Sequence, residues 1–288
     1  MTISLGQSAA WQGLGPVDAA PLQSAPADGT GAVFSPALQV GDLRLALDEN
    51  RIHTLYQPIV RLADRRPVGL EVLARLHHPR LGTLAPGRFV QSMETAGLAG
   101  DLTEAVLVAA LADWPPERLR ELDLTLAFNF PPEVLISDAA LTRLETVRTA
   151  AGVSANRIVI ELTEEDPLAD PAALSRAAGR LRALGYGIAA DDVSREVAHN
   201  PALFQVGFTV LKLDKALVQN AADDPAIAEL IRRLSHDARA AGMSVTAEGV
   251  ENEEQWAAMH ALAVDLGQGY LISPPVSAAA IRGWHRAW

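Results

Sequence analysis

The sequence predicts an α/β barrel, on three observations. Short apolar segments alternate with longer amphipathic ones along most of the chain. Towards the C-terminus the order is strand, helix, strand, helix, and the strands are almost continuously apolar, as in a parallel sheet covered by helices. Eight such strands in about 230 residues suit a closed barrel better than an open sheet.

The elements follow in chain order. Residues 1–40 are rich in Gly, Pro, Ala, Ser and Gln without sustained periodicity, and are expected to form a flexible tail or linker. The barrel domain is assigned to 41–288. It opens with "DLRLALDENRI" (42–52), which has helical character. Strands are predicted at "TLYQPIV" (54–60), "GLEVLARL" (69–76), "LTLAFNF" (124–130) and "RIVIEL" (157–162). Four more follow at "GIAAD" (187–191), "VLKLD" (210–214), "MSVTAE" (243–248) and "LGQGYL" (266–271). Helices are predicted at 87–97, 101–113, 138–151, 170–184, 200–206, 225–241, 252–262 and 276–286.

Composition narrows the function. Apolar residues make up 49% of the 288, enough for a substantial core. A formal net charge of −11 argues against a surface that coats a polyanion, so a nucleic acid polymer is not an expected partner. The chain has no cysteine, which excludes disulfides and thiolate metal sites. No apolar run is long enough to span a bilayer, and the N-terminus lacks a signal peptide's basic start and apolar segment. A cytoplasmic location without membrane insertion is the expectation. Walker, GxGxxG and GxSxG motifs are absent. The adjacent His77 and His78 lack a metal-binding spacing and are expected to serve in a loop or at the surface.

Polar residues recur at the strand ends. Asn129, Glu161, Asp191 with Asp192, Lys212 with Asp214, Glu248 with Glu251, and Gln268 all sit at or near a carboxyl end; Glu71 interrupts the second strand, with Arg75 four residues on. Taken singly, each has a plain explanation, such as a helix N-cap or an i, i+4 ion pair. Taken together they are hard to obtain by chance. A parallel barrel gathers strand ends on the face where barrel enzymes keep their sites. Carboxylates crowded there repel one another, and hard oxygen-seeking cations such as Mg²⁺ or Mn²⁺ resolve the conflict. Side chains alternate along a strand, so Asp191 and Asp192 are expected to face different ways, one for each of two ions. Two ions bridged by water suit in-line attack on a phosphodiester. Lysine occurs only at 212 and 215 in an arginine-rich chain, which makes Lys212 a marked choice.

From about residue 42 to the end, the chain resembles the EAL domain family, phosphodiesterases of the bacterial second messenger cyclic di-GMP. The resemblance rests on "YQPIV" (56–60), "EVLAR" (71–75, with Val72 in place of the signature alanine), "GTLAPGRFV" (82–90), "FNFPPEVL" (128–135), "IELTEED" (160–166), "LKLDKALV" (211–218), "AEGVENEEQ" (247–255) and "GQGYLISPP" (267–275), in family order. It implies a modified TIM barrel with one antiparallel strand, and hydrolysis of cyclic di-GMP to linear pGpG with two Mg²⁺ or Mn²⁺ ions. By the same resemblance Glu71, Asn129, Glu161 and Asp191 bind the first metal. Asp192 binds the second, with Glu248 and Gln268 nearby. Lys212 orients or deprotonates the attacking water, Leu73 and Arg75 contact substrate, and Glu164 braces the loop after Asp192.

That loop departs from the family. The paired aspartates are usually followed by Phe-Gly-Thr-Gly, but here "VSREVAHN" (193–200) follows, without either glycine. Glycine permits backbone angles that Ser194 and Glu196 reach only at a cost. Second-metal binding, rate and a dimer-linked control are the properties this change touches. Two functions are therefore expected: a phosphodiesterase, at full or reduced rate, or a receptor or docking module that binds cyclic di-GMP without efficient turnover. A homodimer, and a regulatory protein acting through the N-terminal tail, are the expected macromolecular partners.

Overall fold

The structure, a computed structural model, describes residues 38–115, 119–162 and 171–288. The tail assigned to 1–40 therefore lies outside the described residues up to 37, and so does Glu164. Helix α1 (Val40–Asp48) leads into a long hairpin of β1 (Ile52–Arg61) and β2 (Pro67–His78). Next come the short β3 (Gly82–Leu84) and the helices α2 (Val90–Thr95) and α3 (Ala99–Leu111). Strand β4 (Thr125–Phe130) precedes α4 (Pro132–Leu135) and α5 (Asp138–Ala150), and β5 (Ile158–Leu162) precedes α6 (Pro171–Leu184). Strand β6 (Gly187–Val193) is followed by β7 (Val210–Leu213), α7 (Lys215–Asn220), α8 (Pro225–Ala240), β8 (Ser244–Ala247), α9 (Glu253–Ala261), β9 (Leu266–Gly267) and α10 (Ala278–Ala287).

The strands close in the order β1-β9-β8-β7-β6-β5-β4-β2, and β2 pairs back to β1; β3 hangs outside on β2. From β2 through β4 to β9 every ring pairing is parallel. Strand β1 alone is antiparallel, to both β2 and β9. Chain connectivity explains the exception. A turn of a few residues between β1 and β2, with Arg65 at φ 60°, can only reverse the chain, whereas the helical crossovers return it parallel.

Helices form where caps and apolar stripes agree. In α8, Asp224 accepts from the Ala226 and Ile227 amides at 2.8 and 3.4 Å and Pro225 follows at the first helical position. Its buried stripe, Leu230, Ile231, Leu234 and Ala238, lies against the sheet. A second apolar cluster lies beside the barrel mouth, built from Leu43 and Ala46 of α1, Leu76 of β2, Leu84, Phe89 and Met93. It braces the outer half of β2, which carries Leu73 and Arg75. Below the barrel, Arg65 stacks 4.5 Å from the Trp256 ring centroid, and its carbonyl accepts the Trp288 indole at 2.6 Å, tying the hairpin turn to α9 and α10.

Several boundaries differ from the sequence reading. Residues 200–206 form no α-helix; Pro201–Phe204 make a single 3-10 turn, and Gly207 at φ +90° ends it. The predicted helix at 87–97 is split, because Phe89 at φ −143° separates a 3-10 turn from α2. The last strand pairs only at Leu266–Gly267, and the chain then turns. Among the described residues, no helix is long and apolar enough to cross a membrane.

That final turn depends on a glycine. A Cβ on Gly269 would lie 2.2 Å from the Val250 carbonyl oxygen and 2.3 Å from its nitrogen. Gly269→Ala is expected to cost about 3 kcal/mol, or ~8 °C of melting temperature. Gly179 of α6 has open space around it, so Gly179→Ala is expected to stabilise by about 0.5–1 kcal/mol. Thermal melts of the two variants test the pair; a neutral Gly269→Ala would contradict the packing of this turn.

Candidate metal and phosphodiester site

The strand register assembles the site. Glu71 on β2 lies opposite Gln57 on β1, and Asn129 on β4 lies beside Glu161 on β5. Lys212 on β7 is almost fully buried. Its ammonium is 2.7 Å from Glu248, 2.8 Å from Asp191, 3.0 Å from Glu161 and 3.8 Å from Glu71. None of these contacts has hydrogen-bond alignment: the ammonium is surrounded by the carboxylates rather than directed at one. Both oxygens of Glu71 accept from amides, Oε1 from Asn129 at 3.2 Å and Oε2 from Gln268.

The paired aspartates do not alternate as expected. Between β6 and β7 the register runs from Ala190↔Leu211 to Val193↔Leu213, so Asp191 and Asp192 together face the single residue Lys212. This is a β-bulge, and Asp192 takes φ 49° within it. The extra residue brings both carboxylates to the same place. Oxygens of Asp191, Asp192 and Glu248 lie within 4.8 Å of one another, as do those of Glu71, Glu161 and Asp191. Asp191 belongs to both groups. Asp192 belongs to the outer group alone, so the two aspartates share one group of oxygens rather than facing different ways.

The loop after the bulge is likewise not strained in the way anticipated. No residue from 193 to 200 has a positive φ; Glu196 sits at φ −68°, ψ −49° in a right-handed turn. The Ser194 carbonyl accepts from the Ala198 amide at 3.0 Å, and its hydroxyl accepts from Val197 at 3.4 Å. The substituted residues form their own 3-10 turn, so glycine is not required by the backbone seen here.

Burial and crowding set the proton affinities. Burial raises Glu161 well above the carboxylate range, with Glu71, Asp191 and Glu248 adding to it against the pull of Lys212. Burial, then Asp191, raises Asp192. Glu248 is pushed up to about 8, by burial first and then, despite Lys212, by Asp191 and Glu71. Burial alone would lower Lys212, but the surrounding carboxylates outweigh it and the lysine is held as an ammonium. At the rim, burial lowers the half-buried Arg75, opposed by Tyr270 and Glu71.

The residues fit hard divalent cations. The donors are all oxygens, and Glu161 Oε2 is a buried acceptor without a hydrogen-bond partner, the situation a cation relieves. Other sequence candidates have ordinary roles. Asp214 caps α7 through the Ala216 amide at 2.6 Å, and Glu251 pairs with Lys215 at the surface at 2.6 Å. His78 accepts the Arg80 and Leu81 amides at 3.2 and 3.1 Å in the β2–β3 turn. The sequence reading missed Gln57, which accepts from Gln268 at 3.0 Å. Only the register of the antiparallel hairpin, which pairs it with Glu71, reveals it.

Fold and site together define a closed α/β barrel with one reversed strand and a buried, cation-seeking cluster of carboxylates at its mouth. The EAL domain model matches residues 40–275, and the chain belongs to that family. It is 33% identical over 239 residues to the cyclic di-GMP phosphodiesterase RocR of Pseudomonas aeruginosa, spanning 82% of this chain but only 60% of RocR. It is 33% identical over 235 residues to the Mycobacterium tuberculosis protein Rv1357c, spanning 79% of this chain and 76% of that protein. Among solved structures, the PaMucR phosphodiesterase in complex with c-di-GMP superposes with a TM-score of 0.76 at 26% identity, over 84% of this chain and 98% of that one. The FimX EAL domain from Pseudomonas aeruginosa bound to c-di-GMP shares the fold, with a TM-score of 0.72 at 20% identity over 82% of this chain and 96% of that one.

The raised Glu248 makes stability depend on pH. A carboxyl whose folded pKa exceeds its ordinary 4.5 stabilises the fold fully below that value and loses the contribution as pH rises through about 8. In chelator-treated protein, the melting temperature of the native sequence is expected to fall across this interval more steeply than that of Glu248→Gln. A difference between the two that stays flat with pH contradicts a protonated, buried Glu248.

Proposed function

We propose that this chain is a metal-dependent phosphodiesterase that hydrolyses cyclic di-GMP to linear pGpG. The observation that carries the reading is the position of Asp191 in both carboxylate groups, the arrangement two neighbouring cations require. The names of RocR and PaMucR support the reaction and the ligand.

Glu71, Asn129, Glu161 and Asp191 would hold one Mg²⁺ or Mn²⁺, and Asp191, Asp192 and Glu248 the other. When bound, such ions lower the pKa of a coordinated water and offset charge at phosphorus. The chain's own groups do the rest. Arg75 donates through Nη1 to the Ala74 carbonyl at 2.8 Å, which leaves its remaining donors for a phosphate oxygen. Leu73, partly exposed beside it on β2, offers an apolar contact to the nucleotide. Lys212, as a buried ammonium, orients the oxygen of the attacking water. Glu248, which carries a raised proton affinity in the ion-free cluster, gives up its proton when the ion binds. Gln268, directly after β9, two strands along the ring from β2, would add a contact to the ligand beside Glu71. Lys212, Glu161, Asp191 and Glu71 are buried, so charges among them interact more strongly than in water.

The alternative is a receptor that binds cyclic di-GMP without turnover. The enzyme reading is preferred because Lys212, Glu248 and both aspartates converge, and because the substituted loop is not built on glycine-only angles. Incubation with Mg²⁺ or Mn²⁺ is expected to yield pGpG, and Glu71→Ala to abolish it. Tight nucleotide binding with no pGpG at high protein concentration would establish the receptor instead. Asp192→Asn is expected to lower turnover at least 10-fold while changing nucleotide affinity little; equal losses in both would remove the second ion from catalysis.

A further inference from the structure

We propose that Gln57, on the reversed strand β1, is a positioning residue that holds Glu71 in its cation-facing orientation by acting through Gln268. The inference rests on the reading of Glu71 as a cation ligand and adds a residue that reading does not use.

The side chains on β1 alternate. Tyr56 points outward, where its hydroxyl donates to Asp113, just past the C-terminus of α3, at 2.9 Å. Gln57 therefore points inward, and the antiparallel register sets it opposite Glu71. Its Nε2 donates to the Ser273 carbonyl at 3.2 Å. A carbonyl oxygen can only accept, so this contact fixes which end of the Gln57 amide is which. The Gln57 Oε1 must then accept, and it takes Gln268 Nε2 at 3.0 Å. That in turn fixes the Gln268 amide, whose Nε2 also donates to Glu71 Oε2. The polarity thus runs from a backbone carbonyl, through two amides, to one carboxylate.

The receiving carbonyl is itself held. Ser273 is fully buried, its amide donates to Gly269 at 3.0 Å, and Tyr56 and Val276 exchange backbone hydrogen bonds at 2.7 and 2.9 Å. The relay also leaves Gln268 Oε1 as a buried acceptor without a partner. With the Gln57 contact removed, the Gln268 amide loses its tie to the backbone and is held by Glu71 alone, so amide and carboxylate are free to shift together.

The test compares Gln57→Met, similar in length but without the amide that donates to Ser273 and accepts from Gln268, with Val60→Ala, which opens a cavity in the same strand. Mn²⁺ affinity is read by electron paramagnetic resonance. Separately, exchange of the Gln268 side-chain amide protons is read by NMR in metal-free protein. Gln57→Met is expected to weaken Mn²⁺ binding about 10-fold or more and to speed Gln268 amide exchange, while Val60→Ala changes neither at a comparable loss of melting temperature. Unchanged Mn²⁺ affinity or unchanged exchange in Gln57→Met overturns the proposal, as does an equal effect in Val60→Ala. If the native sequence binds no Mn²⁺, the cation reading fails, and the exchange result still decides whether the relay exists.

Discussion

One ammonium set among four carboxylates, where water barely reaches, is the constraint around which this barrel mouth is organised. At an effective dielectric near 20, two unit charges 4 Å apart are worth about 4 kcal/mol, of either sign. Lys212 attracts each carboxylate, but the carboxylates repel one another at similar range, and the repulsive pairs are more numerous. The lysine alone does not neutralise the cluster. Either protons or further cations must complete the balance, and the raised Glu161 and Glu248 are the proton-bearing version of that state. Such a cluster suits an exchange of protons for metal ions.

The rest of the fold holds that cluster in place. The parallel strands bring Asn129, Glu161, Asp191 and Lys212 to a common level, and the bulge in β6 adds Asp192 without displacing Asp191. The reversed β1 closes the ring and backs Glu71 with an amide. The second apolar cluster steadies the part of β2 that carries the arginine. A polar cluster of this kind contributes little net stability by itself, so the apolar strand interiors and the helix faces over them must supply it.

Much of this was legible in the sequence, for identifiable reasons. Continuous apolar runs marked the strands from 124 onward because they are buried on both faces, and the oxygen-bearing residues stood out because each interrupts or ends such a run. The convergence of Asp191 with Asp192 was not legible, since a bulge is a change in partner count across two strands that lie 20 residues apart. The relaxed turn at 193–200 was misjudged because missing glycines were taken to imply strain, whereas Ser194 supplies local hydrogen bonds. Helix 200–206 was over-read from apolar spacing, with Pro201 and Gly207 at its ends limiting it to one 3-10 turn. Gln57 escaped notice because a lone glutamine in a strand carries no spacing signal; only the hairpin register gives it meaning.

The central claim is that two cations share Asp191 at the mouth of this barrel. The most direct measurement is a crystal structure grown with Mn²⁺, with an anomalous difference map collected at the manganese edge. The account predicts two peaks, both contacting Asp191, one also bound by Glu71 and Glu161 and the other by Asp192. A map with no peak among these carboxylates, or with Lys212 still holding all four of them at saturating Mn²⁺, would contradict it.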